Sequence, residues 1–86
     1  MDIAVELSLY PLESERVPKI RDFIERLNRA SGVRVITNSL STQLVGPFEL
    51  VFAALTRELH TTFTQVERSV VVLKVIGPLT DGGLLK

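Results

Sequence analysis

From Thr37 to Gln43 every residue except Leu40 carries a hydroxyl or an amide, and none carries a charge. Such a cluster can donate and accept hydrogen bonds without creating a net field, which suits a neutral or weakly cationic polar ligand. Within it Asn38 offers a donor and an acceptor together, and Ser41 and Thr42 add two hydroxyls. Asn and Ser also favour turns for purely local reasons, so a binding site and ordinary turn chemistry are both open readings of this stretch. Tyr10 can stack on a flat ring or offer its hydroxyl, and can equally be an interface aromatic. Ser8 lies two residues before it. Glu6 can meet a cation, with Lys74 as the plainer partner. The single histidine, His60, falls near a helix end, where favouring the dipole is its ordinary role.

Harder chemistry has few candidates. With no cysteine there is neither a disulfide framework nor a thiolate metal site, and one histidine makes a zinc site of protein ligands alone an unfavourable reading. Nothing resembles a Ser/His/Asp set or a carboxylate pair, and no glycine-rich phosphate loop precedes a helix. The expectation is binding without turnover, with no cofactor.

Elements to position these residues follow from periodicity. Asp2 to Tyr10 alternates, with Ile3, Val5, Leu7 and Leu9 on one face and Ala4, Glu6, Ser8 and Tyr10 on the other, as in a half-buried strand. After Pro11, Ser14 is a candidate helix cap. Val17, Ile20, Ile24 and Leu27, with Phe23 beside them, then form a helical stripe, with the charges from Lys19 to Arg26 read as a solvated face. Ser31-Gly32 ends this helix. Val33 to Asn38 and Ser41 to Val45 are strands joined by a short turn. Pro47 opens a second helix whose expected buried stripe is Phe48, Val51, Phe52, Leu55, Leu59 and Phe63, with Thr64 to Glu67 as connection. Ser69 to Ile76 is an almost unbroken apolar run suited to an interior strand, and Gly77-Pro78 ends it. The remainder reads as a tail, with a turn at Asp81-Gly82-Gly83.

The order β-α-β-β-α-β with right-handed crossovers predicts a ferredoxin-like α+β sandwich. It has a four-stranded antiparallel sheet in the order 4-1-3-2 and both helices on one face. Eighty-six residues make one such domain, 1–86, with 77–86 as turn and tail. In this topology the ends of strands one and two meet the start of strand three. Ser8, Tyr10, Asn38, Ser41 and Thr42 therefore gather from separate segments. The face away from the helices carries valines or leucines of strand four in either register, and an apolar surface on so small a chain marks an oligomer contact.

Ten basic and ten acidic residues cancel, so no strong field recruits nucleic acid or an anionic membrane. The first residues lack a signal-peptide pattern, and no apolar run nears the roughly 20 residues of a membrane span, which gives a cytoplasmic expectation.

Two segments carry a family resemblance: Glu6-Leu-Ser-Leu-Tyr-Pro-Leu12, and Thr37-Asn-Ser-Leu-Ser-Thr-Gln43 followed by Gly46. Phe23-Ile-Glu-Arg-Leu27, Ser31-Gly32-Val33 and Val72-Leu-Lys-Val75 support it in order and spacing. With these motifs the chain resembles the small thiamine-binding (YkoF-like) family up to about Ile76. It departs from the family at Leu40, where methionine is common, at Gly46-Pro-Phe-Glu49 and near Gln65. The resemblance implies a ferredoxin-like module that assembles as a homodimer or homotetramer. It also implies binding of thiamine or its hydroxymethylpyrimidine portion without chemical change, with Ser8, Tyr10, Asn38, Ser41 and Thr42 as the pocket residues.

Three other functions share this fold. An acylphosphatase would use an arginine cradle and a water-positioning asparagine, for which Arg34 and Asn38 are the nearest residues. An RNA-binding module would need aromatics on the central strands and a basic sheet, and strand three has no aromatic. A pure interaction module is kept open by the apolar outer face.

Overall fold

The computed structural model describes residues 1–39, 41–65 and 68–79 of the chain. The elements are β1 (Asp2–Pro11), α1 (Arg16–Asn28), β2 (Arg34–Thr37), β3 (Thr42–Pro47), α2 (Phe48–Gln65) and β4 (Ser69–Ile76). The sheet order is β2-β3-β1-β4 and every neighbouring pair is antiparallel, so the expected ferredoxin-like α+β sandwich is the fold. The anticipated turn at Asp81-Gly82-Gly83, and the departure at Leu40, lie outside the described residues.

The core follows from the alternation of β1. Ile3, Val5, Leu7 and Leu9 are buried and pack with Phe23 and Leu27 of α1, Leu44 of β3, and Val51, Ala54 and Leu55 of α2. Burying a side chain of this size contributes about 1.5–3 kcal/mol, so these ten positions dominate stability. Gly46 lets the layers close. A Cβ there would lie 2.8 Å from the carbonyl oxygen of Gly32 and 3.5 Å from Val33 Cα. Gly32 has a φ of 77°, in the left-handed region that glycine adopts without strain.

Several details differ from the sequence expectation. Ser14 does not cap α1. Glu15 is the cap residue and makes no side-chain cap hydrogen bond. Pro47 closes β3, and α2 starts one residue later. That helix runs to Gln65, so Thr64 and Gln65 belong to it and not to the connection. Its buried stripe is also rotated, to Val51, Ala54, Leu55, Glu58 and Thr62, while Phe48 and Phe63 lie on the surface.

The rotated stripe carries a polar clamp between the helices, while Phe52 and Leu59 of the expected stripe stay partly buried against the core. Arg26 Nη1 donates to Glu58 Oε1 at 2.8 Å and to the Glu58 carbonyl at 3.1 Å. Its Nη2 donates to Thr62 Oγ1 at 2.7 Å. Asp22 and Arg57 complete the network, at 3.0 Å from Arg26 and 2.7 Å from Glu58. Burial pushes the Glu58 carboxyl up, but hydrogen bonds from Arg57 and Arg26, and their charges, outweigh it and hold the group below its ordinary range. Arg26 is thus not part of a solvated face. A charged position inside an apolar stripe is tolerated because a partner on the other helix satisfies it.

The helices lie chiefly over β1, β2 and β3, and β4 reaches the core through the half-buried Val71. Register settles which β4 residues face away from them: Tyr10 pairs with Val70, Ser8 with Val72, Glu6 with Lys74 and Ala4 with Ile76. Val70, Val72, Lys74 and Ile76 therefore share the outer face with Ala4, Glu6, Ser8 and Tyr10.

Candidate functional site

The turn between β2 and β3 is held by its own asparagine. The Asn38 N–H donates to the Ser41 carbonyl at 3.1 Å, and the Ser41 N–H donates to Asn38 Oδ1 at 3.1 Å. This reciprocal pair is the local turn chemistry that Asn offers, and it fixes where β3 starts. Thr37 and Thr42 then face each other across the first rung of the hairpin.

Beside this turn is a cavity of about 220 Å³. Its polar lining comes from Ser8 and Tyr10 at the end of β1, from Thr37, Asn38 and Ser39 before the turn, and from Ser41 and Thr42 after it. The remaining wall is apolar: Leu7 and Leu9 of the sheet, and Ile20, Phe23 and Ile24 of α1. The cavity thus lies where the sheet ends against the first helix. All five residues singled out in the sequence border it.

These five do not share one face. Alternation along β1 places Ser8 and Tyr10 on the outer side, whereas Thr42 pairs with Leu7 and is buried on the helix side. Tyr10 is half exposed at the rim. Ser41 Oγ donates to Glu6 Oε2 at 3.2 Å, and Lys74 Nζ lies 3.7 Å from Glu6 Oε1, so the anticipated Glu6–Lys74 pair forms on the outer face. Lys74 is largely exposed, and such a pair contributes at most about 1 kcal/mol.

Thr42 is the most informative member. It is 4% exposed, and its hydroxyl lies 3.4 Å from that of Thr37. A well-formed hydroxyl–hydroxyl bond is about 2.7–2.8 Å, so this long contact between the buried Thr42 and the exposed Thr37 leaves bonding capacity on the Thr42 hydroxyl. A ligand edge with one donor and one acceptor would use it. The half-buried Ile20 and Ile24 give the wall its open apolar surface, while Phe23 borders the cavity but is itself fully buried, with the Arg26 guanidinium carbon 5.9 Å from its ring centre.

Phe23, Ile20 and Ile24 were not legible as lining residues. They belong to the helical stripe that any core-facing helix shows, and nothing in their spacing separates a cavity wall from core. Among the described residues no group of three or more His, Asp or Glu side chains could hold a metal ion. His60 is exposed on α2 and does not border the cavity.

No family model matches the chain, and no curated protein does. Solved structures do. A hypothetical protein from Methanocaldococcus jannascii superposes with a TM-score of 0.81 at 23% identity, over 98% of this chain and 88% of that one. A protein of Thermotoga maritima, provisionally named a thiamine biosynthesis/salvage protein, gives 0.80 at 16% identity, over 91% and 85%. A domain of unknown function (DUF77) from Bacillus cereus gives 0.75 at 17%, over 99% and 84%. At these identities the likeness establishes the fold.

Proposed function

We propose that this protein binds a small, flat, uncharged or cationic heterocycle without transforming it, with thiamine or its hydroxymethylpyrimidine portion as the leading candidate. The observation that carries this reading is the cavity at the sheet end, where the buried Thr42 hydroxyl, weakly paired with the exposed Thr37, borders an apolar wall that includes Ile20 and Ile24. An aminopyrimidine needs both features: hydrogen bonds in the ring plane and apolar contact on its faces. Among the described residues no arginine or lysine lines the cavity, which disfavours a phosphate or carboxylate ligand. The Thermotoga maritima likeness supports the same ligand class.

The reading includes self-association as a homodimer or homotetramer, because Val70, Val72 and Ile76 remain 42–48% exposed. It also holds that the protein is not an enzyme. Arg34 and Asn38, the two residues an acylphosphatase would use, have different surroundings: Arg34 pairs with Val45 at the other end of β2, and Asn38 holds the turn. No helix among the described residues is long and apolar enough to cross a membrane.

Titration with hydroxymethylpyrimidine, followed by amide chemical shifts, tests the site. Shifts concentrated at Phe23, Thr37, Ser41 and Thr42 are expected. Shifts confined to the outer sheet face, or none at millimolar ligand, would leave an interaction module as the better reading.

A further inference from the structure

The outer face of the sheet holds a second cavity, of about 370 Å³, which shares no lining residue with the one beside the β2–β3 turn. Strand pairing sets its side chains in two rows. Gln43, Glu6 and Lys74 stand opposite one another across β3, β1 and β4. Neighbouring strands lie about 4.8 Å apart, so these three polar groups fall side by side within about 10 Å. In the adjacent row of the same face Ala4 stands between Val45 and Ile76. A methyl group between two larger side chains leaves a notch in that row. Leu79 borders the notch too, placed there by its N–H, which donates to the Asp2 carbonyl at 2.8 Å. The cavity thus has a polar end at Gln43, Glu6 and Lys74 and an apolar end at Ala4, Ile76 and Leu79.

The polar end is loosely engaged. Ser41 donates to one oxygen of Glu6, while Lys74 Nζ lies 3.7 Å from the other, and the two side chains are 45% and 78% exposed. A pair of this kind contributes little to stability, so it opens to a ligand at little cost. The Gln43 amide makes no side-chain hydrogen bond among the described residues.

We infer that this cavity binds a small zwitterion with an aliphatic side chain, an α-amino acid of the leucine type. The charges decide the class. A simple anion would meet Lys74 but lie against Glu6, and a simple cation would meet Glu6 but lie against Lys74. An α-amino acid carries both charges on adjoining atoms. Its ammonium donates to Glu6 and to the Gln43 carbonyl oxygen, and its carboxylate accepts from Lys74, so each charge is matched and the sum stays zero. The side chain then lies over Ala4 against Ile76 and Leu79, where apolar contact adds affinity. This stands apart from the heterocycle reading. The site is also complete within one chain, so it does not depend on self-association through the same face.

Titration followed by amide chemical shifts tests the site, with L-leucine as the probe. Shifts centred on Ala4, Glu6, Gln43, Lys74 and Ile76 are expected at millimolar leucine. Isocaproate, which lacks the ammonium, and isoamylamine, which lacks the carboxylate, should each bind at least tenfold more weakly. Glycine, which lacks the side chain, should do the same. Glu6→Gln keeps the shape of the polar row and removes its negative charge. It should weaken leucine at least tenfold while isocaproate binds no worse. No shifts at millimolar leucine, shifts centred on the β2–β3 turn, equal binding of leucine and either one-charge analogue, or unchanged leucine affinity in Glu6→Gln would overturn the inference.

Discussion

Replacing Glu58 with glutamine removes the one negative charge that two arginines share between the helices. Arg26 is only 12% exposed and Glu58 10%, so the charge left on Arg26 cannot simply turn to water. Breaking a buried pair costs about 3–5 kcal/mol, and since Arg26 keeps Asp22 the loss here should fall at or just below the bottom of that range, about 2–3 kcal/mol. For a domain of this size that is about 10–20 °C in melting temperature. Circular dichroism melts and urea unfolding at pH 7 would measure it. The sign with pH follows from the lowered carboxyl pKa. A group held below its unfolded value gives its full stabilisation above that value and loses it as pH falls through the folded one. The parent should therefore lose this contribution below pH 4.5, the ordinary value for the group, whereas Glu58→Gln should lack that part of the acid dependence. A loss under about 0.5 kcal/mol, with an unchanged acid profile, would mean the network behaves as a solvated surface pair and the reasoning fails.

Three further outcomes are expected. Gly46→Ala should destabilise by about 1–3 kcal/mol in urea unfolding, because its Cβ would press on the Gly32 carbonyl, a backbone atom that cannot swing aside. Lys74→Ala should change stability by less than about 1 kcal/mol, and the change should shrink with added salt, since its partner Glu6 is also half exposed. Incubation with acyl phosphates and with thiamine should give no product above background; turnover that vanished in Arg34→Ala or Asn38→Ala would restore the enzyme reading.

The sheet and its order were legible because β1 alternates, β2 is β-branched, β4 is an almost unbroken apolar run, and prolines or glycines stand near most element ends. The site was legible only at its polar rim. Asn38, Ser41 and Thr42 stand out as side chains, and topology brings Ser8 and Tyr10 to them, but their division between two faces depends on β1 pairing with β3. The apolar wall is invisible in sequence, since Phe23 and Ile20 obey the same 3.6-residue period whether they seal a core or border a cavity. The rotation of α2 was hidden for a related reason. Phe48 and Phe63 are larger apolar groups than Ala54 and Thr62, and the Arg26–Glu58 contact on the buried side spans 32 positions, beyond any local period. For β4 the local signal of an interior strand conflicts with its edge position in the sheet, which topology and not composition decides.

Calorimetric titration of hydroxymethylpyrimidine into the parent and into Thr42→Val tests the central claim most directly. Valine keeps the shape of the buried side chain and removes the hydroxyl that the cavity leaves weakly paired. A ligand hydrogen bond left unmade costs about 1–3 kcal/mol, so affinity should fall between several-fold and about a hundredfold, with the fold intact by circular dichroism. Equal affinity for parent and variant, or no heat with hydroxymethylpyrimidine or thiamine, would contradict the assignment of this cavity as the binding site.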